Sequence, residues 1–321
     1  MKVLNLTNLE QSEIKYNIQR FPDGQQNIVI LNTEEFKEKT APSGFNGVRR
    51  ILPSTIIQIK TRLNNFKDLE LIVAATASLR ELGVKKIHLY CPYFIGARSD
   101  RKFEEGGNWY LKQVICPIIN KLKFKSVTVL DAHSWVLGNL LNNFKGIDNE
   151  QFVRFAIYDL CKLNEKCESK VNEFILVSPD TGASHKIYKL AEKIGYKGDI
   201  ITCSKERDTE GNLTKTNVPI TGEQHIMLHT GPYKDFIIID DICDGGRTFI
   251  NIAKEIKEYF HESGKTESKI YLIVTHGIFS AGFEELSKYF DGIYCTNSYS
   301  NIGDYAGNNL QKTLVSQLNV F

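Results

Sequence analysis

Phe236-Ile237-Ile238-Ile239-Asp240-Asp241-Ile242-Cys243-Asp244-Gly245-Gly246-Arg247-Thr248 is the stretch that decides the fold of this 321-residue chain. Its unbroken apolar run predicts a strand over Phe236 to Asp240 that is buried on both faces, as strands of parallel sheets are. The run leads straight into two carboxylates, then a glycine turn, then a segment of helical period from Thr248 to Phe260. Paired carboxylates accept hydrogen bonds from vicinal hydroxyls, and glycine amides at a helix N-terminus hold a phosphate. The string therefore suits a phosphorylated sugar.

Working outward, the same alternation of strand-length apolar runs with helical segments recurs on both sides. In the second half, Glu173 to Ser178 and Lys269 to Thr275 read as strands and Ser184 to Ile194 as a helix. In the first half, Leu69, Ile72, Val73, Leu79 and Leu82 mark one face of a helix from about Lys67, with Gly83 placed to end it. A strand Lys86 to Tyr93, a helix Trp109 to Leu122 and a strand Ser126 to Asp131 follow. This is the pattern of an α/β chain with mainly parallel sheets flanked by helices. A polar stretch, Asn142 to Glu150, sets the expected boundary between domains 1–149 and 150–321, which look like weak duplicates. Lys205 to Lys234 is polar, without apolar period and too long for an ordinary connection, so it reads as a functional loop or flap.

Composition narrows the function classes. Hydrophobic residues are 42% and charged residues 24%, which excludes disordered and low-complexity classes. Lys plus Arg (40) nearly balances Asp plus Glu (38), so binding of nucleic acid through bulk charge is not expected. Met1 to Ile18 lacks the apolar core of a signal peptide and nothing later approaches a membrane span, which leads us to expect a cytoplasmic protein with no membrane partner. The seven cysteines, an odd number without a C-x-x-C pair, read as reduced and mostly core.

Five further stretches carry chemistry. Arg20-Phe21-Pro22-Asp23-Gly24-Gln25 is a Pro-Asp-Gly turn. Pro92-Tyr93-Phe94-Ile95-Gly96-Ala97-Arg98-Ser99-Asp100-Arg101-Lys102 puts three cations after a strand, which suits phosphates. Asp131-Ala132-His133-Ser134 ends another strand, and Val177-Ser178-Pro179-Asp180-Thr181-Gly182 brings a carboxylate to a helix start, where it also serves as an N-cap. Ser204-Lys205-Glu206-Arg207 opens the flap. Thr275-His276-Gly277-Ile278-Phe279-Ser280 and Thr296-Asn297-Ser298 are read as fold markers.

Together these strings resemble the ribose-phosphate pyrophosphokinase (phosphoribosyl pyrophosphate synthetase) family over nearly the whole chain. The resemblance implies two tandem type I phosphoribosyltransferase-like domains, the last residues of the chain returning to the first. It implies transfer of the β,γ-diphosphate of Mg–ATP to the anomeric hydroxyl of a 5-phosphorylated ribose, with AMP leaving. On that basis Phe21, Asp23 and Gln25, with Arg98, Asp100, Arg101 and His133, belong to ATP binding, and Gln25 departs from the family's Glu. His133 and Asp180 are the implied Mg²⁺ positions, the ion arriving with ATP as co-substrate. Asp240, Asp241, Asp244, Gly245, Gly246, Arg247 and Thr248 hold the ribose phosphate, and Lys205 and Arg207 stabilise the transition state. The family's turn reaches into a neighbouring subunit, so at least a dimer, with hexamers common in the family, is implied.

One departure bears on the acceptor. The family's loop reads Asp-Thr-(Ala/Gly)-Gly-Thr, whereas this chain has Asp244-Gly245-Gly246-Arg247-Thr248. Losing the threonine enlarges the pocket, and the arginine brings a fork of donors to the phosphate end. Ribose 5-phosphate and ADP-ribose therefore both stand as acceptors, the second giving an activated ADP-ribose for rebuilding NAD. Trp109 and Tyr110 also depart from the family's pattern and read as packing at a helix start. A phosphoribosyltransferase and a silent regulatory homologue remain the rival classes; the ATP-type motifs argue against the first and retention of His133, Asp180, Lys205 and Arg207 against the second.

Overall fold

The computed structural model describes residues 1–31, 33–37, 46–50, 55–163, 172, 174–207, 213–220, 234–262, 268–304 and 314–321. It divides into two compact units, Met1–Ile147 together with Phe321, and Asp148–Val320.

Unit 1 contains strands β1 (Lys2–Asn5), β2 (Tyr16–Arg20), β3 (Gln26–Ile30), β4 (Thr33–Lys37), β5 (Asn46–Arg50), β6 (Ile56–Lys60), β7 (Lys86–Tyr90), β8 (Val127–Leu130) and β9 (Phe144–Ile147). Its helices are α1 (Phe66–Glu81), α2 (Cys116–Lys121) and α3 (Val136–Leu140). The main sheet runs β1-β6-β7-β8-β9 with every neighbour parallel. Two antiparallel hairpins, β2 with β3 and β4 with β5, stand apart from it. Helix α1 starts where sequence says it should: Asn65 caps the amides of Lys67 and Asp68, and the Asp68 carboxylate accepts the Asn65 amide in return. It ends at Leu82, followed by Gly83 at φ 85°.

The helix expected over Trp109 to Leu122 is in two parts, a π-helical turn over Leu111–Ile115 and then α2. Pro117, in the first turn of α2, has no N–H to return to the preceding turn, which breaks the regular ladder there. Trp109 and Tyr110 pack against the unit 1 core. Phe321 joins this unit through an edge-on contact with Tyr90, ring centroids 6.2 Å apart.

Unit 2 contains α4 (Glu150–Leu163), β10 (Phe174–Ser178), α5 (Thr181–Ile194), β11 (Ile200–Thr202), β12 (Ser204–Arg207), β13 (Leu213–Asn217), β14 (Asp235–Cys243), α6 (Arg247–Glu262), β15 (Ile270–Gly277), α7 (Glu284–Ser287), β16 (Gly292–Thr296) and β17 (Val315–Leu318). Its sheet runs β11-β10-β14-β15-β16-β17, again parallel throughout. The polar segment Lys205 to Lys234 is not simply a loop: β12 and β13 form an antiparallel hairpin. Residues 208–212 and 221–233 of that segment lie outside the described residues.

The strand that decides the fold is buried on both faces. Phe236 and Ile238 join the core that includes Phe249, Ile252 and Ile256 of α6, whereas Ile237 and Ile239 join the core that includes Val153 and Leu160 of α4 with Ile187 and Leu190 of α5. That period of two feeds two layers of helices from one apolar run. Ile238→Ala, at 0% exposure in the central strand, should destabilise unit 2 by about 3 kcal/mol in a urea titration, since a deleted core side chain loses transfer energy and leaves a cavity. Six cysteines are buried, and Cys167 lies outside the described residues. Burial pushes the thiols of Cys116 and Cys295 up to about 12, and those of Cys91 and Cys243 higher still, so these four stay neutral and inert. Among the described residues no helix is long and apolar enough to cross a membrane.

Candidate functional site

In unit 2 the candidate residues gather at the carboxyl ends of β10 and β14, two adjacent strands. Asp240 is partly buried and Asp241 is 6% exposed; the Asp241 amide donates to Asp240 Oδ1 at 2.8 Å. Burial, then the adjoining Asp241 and Asp180 carboxylates, pushes the Asp240 pKa well above the usual carboxylate range. The neighbouring acid thus acts on Asp240 from the end of β10. Asp180 itself caps α5, accepting the Ala183 amide at 2.8 Å. Lys186, on the second turn of α5, lies 4.0 Å from Asp241 Oδ2 and offsets part of the acidic charge.

The glycine turn follows. Gly246 sits at φ 79°, and a Cβ there would meet Leu286 Cδ2 at 2.9 Å, so the position admits glycine alone without rearrangement. Gly245 is different: a Cβ would have Ser280 Oγ at 3.7 Å and Ala281 Cβ at 3.9 Å, ordinary contacts, so a side chain is sterically tolerated there and the glycine is not imposed by crowding. The loop is anchored by Ser280, whose hydroxyl donates to Asp244 Oδ1 at 2.6 Å. Arg247, exposed, is the first residue of α6, and the first turn of that helix carries no acid. A cation at the positive end of a helix dipole is unfavourable by itself and is offset by a bound anion.

The β12–β13 hairpin is rooted in the same unit. The Cys203 amide donates to the Ser178 carbonyl at 2.9 Å, two residues before Asp180, and Val218 and Ile220 beyond β13 pack on the core beneath α6. Lys205 pairs in the ladder with Thr216, and a register shift falls between Glu206 and Arg207. His276, read as a fold marker, is buried with Nδ1 2.8 Å from Ser298 Oγ, and Thr296 Oγ1 donates to the Thr275 carbonyl at 2.6 Å. These contacts join the ends of β15 and β16.

In unit 1 the remaining candidates fall on two places. Arg98, Arg101 and His133 are exposed and Asp100 half-buried, on the segments after β7 and β8; the Leu130 amide donates to the Pro92 carbonyl at 3.0 Å, tying the two strand ends together. Arg101 lies over the Phe103 ring, 5.5 Å from its centroid. Phe21, Asp23 and Gln25 are at the tip of the β2–β3 hairpin. There the Phe21 amide donates to the Gln25 carbonyl at 2.9 Å and the Gln25 amide to Asp23 Oδ1 at 3.1 Å, with Phe21 46% exposed. The hairpin leans on α1, since Gln26 Nε2 donates to the Lys67 carbonyl at 2.8 Å.

Lys186 and the Ser280 to Asp244 bond are the features sequence reading missed. Lys186 belongs to a helix 55 positions before Asp241, and no local pattern signals that pairing. Ser280 ends the Thr275–Ser280 string, but its partner lies 36 residues away.

Among the described residues no three His, Cys, Asp or Glu side chains converge as a ready metal cage. The oxygen donors present nevertheless fit Mg²⁺, which takes one or two carboxylates and completes its shell with phosphate and water. The like-charged set of Asp180, Asp240 and Asp241 is the arrangement a hard cation relieves.

No family model matches the chain. It is similar to the ribose-phosphate pyrophosphokinase of Pyrococcus abyssi, 26% identical over 286 residues, which cover 89% of this chain and 84% of that protein. The Saccharolobus solfataricus ribose-phosphate pyrophosphokinase is 27% identical over 257 residues, covering 78% and 80% of the two chains. In fold the chain resembles the crystal structure of phosphoribosylpyrophosphate synthetase from Mycobacterium smegmatis, with a TM-score of 0.70 over 100% of this chain and 95% of that one at 14% identity. The resemblance carried by the sequence motifs thus extends along nearly the whole chain, and the fold is that of two phosphoribosyltransferase-like domains.

Proposed function

We propose that the chain is an ATP-dependent diphosphotransferase acting on the anomeric hydroxyl of a 5-phosphorylated ribose. The observation that carries this reading is the end of β14: a largely buried acid pair, a glycine turn and a helix N-terminus bearing Arg247, in a chain similar over 89% of its length to a ribose-phosphate pyrophosphokinase. In this reading Asp240 and Asp241 accept hydrogen bonds from the ribose hydroxyls. The turn Asp244 to Thr248 receives the 5-phosphate through its amides and the start of α6. Arg98, Asp100, Arg101 and His133 serve ATP, joined by Phe21, Asp23 and Gln25 from the hairpin of a second copy of the chain in an assembly of at least a dimer. Of the two Mg²⁺ positions the resemblance implies, Asp180 would hold the ion in unit 2 and His133 lies in unit 1 with the ATP residues; the ion would supply charge neutralisation along the polyphosphate.

The anomeric oxygen attacks the β-phosphorus of ATP. The new O–P bond forms as the bond from that phosphorus to the α-phosphate bridging oxygen breaks; AMP leaves and the hydroxyl proton passes to solvent. Lys205 and Arg207 stabilise the charge that develops on the transferred group.

A second reading of the acceptor is favoured by the loop itself. A glycine at 245, which takes the bulk and hydroxyl of a threonine away from the phosphate end, and a cation at Arg247 suit a diphosphate at the 5-position, so that ADP-ribose takes the place of ribose 5-phosphate. The experiment is AMP release from Mg–ATP with each acceptor separately, with the products identified by mass. A diphosphorylated product from either acceptor supports the reading, the preferred one naming the substrate; no AMP with either overturns it. Asp180→Asn offers a sharper check on one residue. Asparagine caps a helix as well as aspartate does, so the thermal midpoint should be unchanged while AMP release falls about 100-fold through loss of the carboxylate charge.

A further inference from the structure

At the end of the unit 1 sheet opposite the motif-bearing edge, a cavity of about 520 Å³ opens between α1 and the segment after α2. Arg80, Lys85, Lys121, Lys123 and Lys125 line it, and no carboxylate does. Val73, Ala77 and Leu122 give it an apolar wall.

Three features make this more than a solvated basic face. First, Arg80 builds it. Its Nη1 donates to the carbonyls of Val84 at 3.0 Å and Lys85 at 2.7 Å, and its Nη2 to that of Lys123 at 3.4 Å. The guanidinium therefore clasps two lysine-bearing turns side by side. Lys85, Lys121, Lys123 and Lys125 form no ion pair with any described acidic residue. Second, Lys123 follows the cap of α2 at φ 52°, the position where α1 places Gly83. A lysine carries backbone strain there that glycine avoids. Third, the potential at this end is positive enough to register on a neighbour: burial, then the charges of Lys145 and Lys125, lowers the pKa of His88.

We propose that this cavity is a binding site for a small molecule carrying two or more phosphate groups. Four lysines disposed around a hollow match a compact polyanion, whereas a duplex backbone is met by a stripe of cations along an open surface. One phosphate leaves most of the cations unmatched; two or three neutralise them, and the apolar wall accepts the rest of the molecule.

Hydrogen exchange on the full chain with inorganic tripolyphosphate tests this. Protection is expected in residues 82–86 and 121–126. The variant Lys123→Gly with Lys125→Gln removes two cations and relieves the strained turn, so it should fold at least as well. Its affinity at these segments should fall about tenfold or more, with any protection at residues 96–102 and the basal AMP release unchanged. Absence of protection at 82–86 and 121–126 in the natural chain overturns the proposal, as does protection that survives in the variant. A short DNA duplex that binds this face more tightly than tripolyphosphate also overturns it, in favour of a nucleic-acid surface.

Discussion

Lys205→Ala should lower AMP release by about 100- to 1,000-fold at saturating substrates while leaving the circular dichroism spectrum and thermal midpoint unchanged. The argument for separating activity from stability lies in how the hairpin is held. Lys205 contributes its backbone to the ladder with Thr216, and that pairing survives truncation of the side chain. The hairpin's anchors lie elsewhere, in the Cys203 amide bonded to Ser178 and in Val218 and Ile220 on the unit 2 core. A loss confined to kcat, with KM little changed, identifies an interaction made in the transition state. A rate within twofold of the natural enzyme removes the flap from the mechanism. Rates with Lys205→Arg refine the point: a charge that only neutralises is replaced by arginine, whereas a point contact is not.

The strands that sequence discloses are those whose apolar residues have no alternative use. Phe236 to Ile239 must be buried on two faces, so the run itself announces a central parallel strand, and its continuation into Asp240 and Asp241 locates the candidate site at a strand end. By contrast β1 is Lys2-Val3-Leu4-Asn5, too short and too polar at its ends to stand out, yet it pairs along its whole length with β6. The β2–β3 hairpin buries Tyr16, Gln26, Ile28 and Ile30 while Asn17 to Arg20 stay exposed, a pattern that single-sequence periodicity does not separate from a loop. The β12–β13 hairpin is read from sequence no better: Ser204 to Arg207 and Leu213 to Asn217 are nearly all polar, and their pairing is a ladder of backbone bonds that no apolar period announces.

Site geometry was legible where it is local and hidden where it is not. Asp180 reads as a cap and a candidate ligand from its own hexapeptide, and it does cap α5. That its charge bears on Asp240 follows only from β10 and β14 being neighbours in the sheet. The same holds for Lys186 beside Asp241 and for Ser280 beneath Asp244. The raised pKa of Asp240 also has a definite consequence for linkage. The folded chain holds that proton more tightly than the unfolded chain, so the stability of the ligand-free protein declines as pH rises from the unfolded carboxylate value toward the folded one.

The double substitution Gly245→Thr with Arg247→Gly should move acceptor preference toward ribose 5-phosphate, by roughly 10- to 100-fold in the ratio of kcat/KM values for ribose 5-phosphate and ADP-ribose. The steric half is permitted because a Cβ at 245 meets Ser280 Oγ and Ala281 Cβ at 3.7 and 3.9 Å, distances that displace neither, and the added hydroxyl offers a donor to a terminal phosphate. The electrostatic half removes an arginine from the first position of α6, where the helix dipole opposes it. Without its ligand the variant should therefore fold as well as the natural chain, which makes a fall in ADP-ribose turnover a statement about recognition. A charge-assisted hydrogen bond to phosphate contributes about 1.5–3 kcal/mol, and this sets the size of the expected change. If the natural chain already prefers ribose 5-phosphate and the double variant leaves the ratio within twofold, Arg247 faces solvent in the complex and the extended-acceptor reading fails. If the natural chain prefers ADP-ribose and the variant inverts that preference, two positions in one turn after β14 account for the choice of acceptor, with the acid pair and the flap serving both substrates alike.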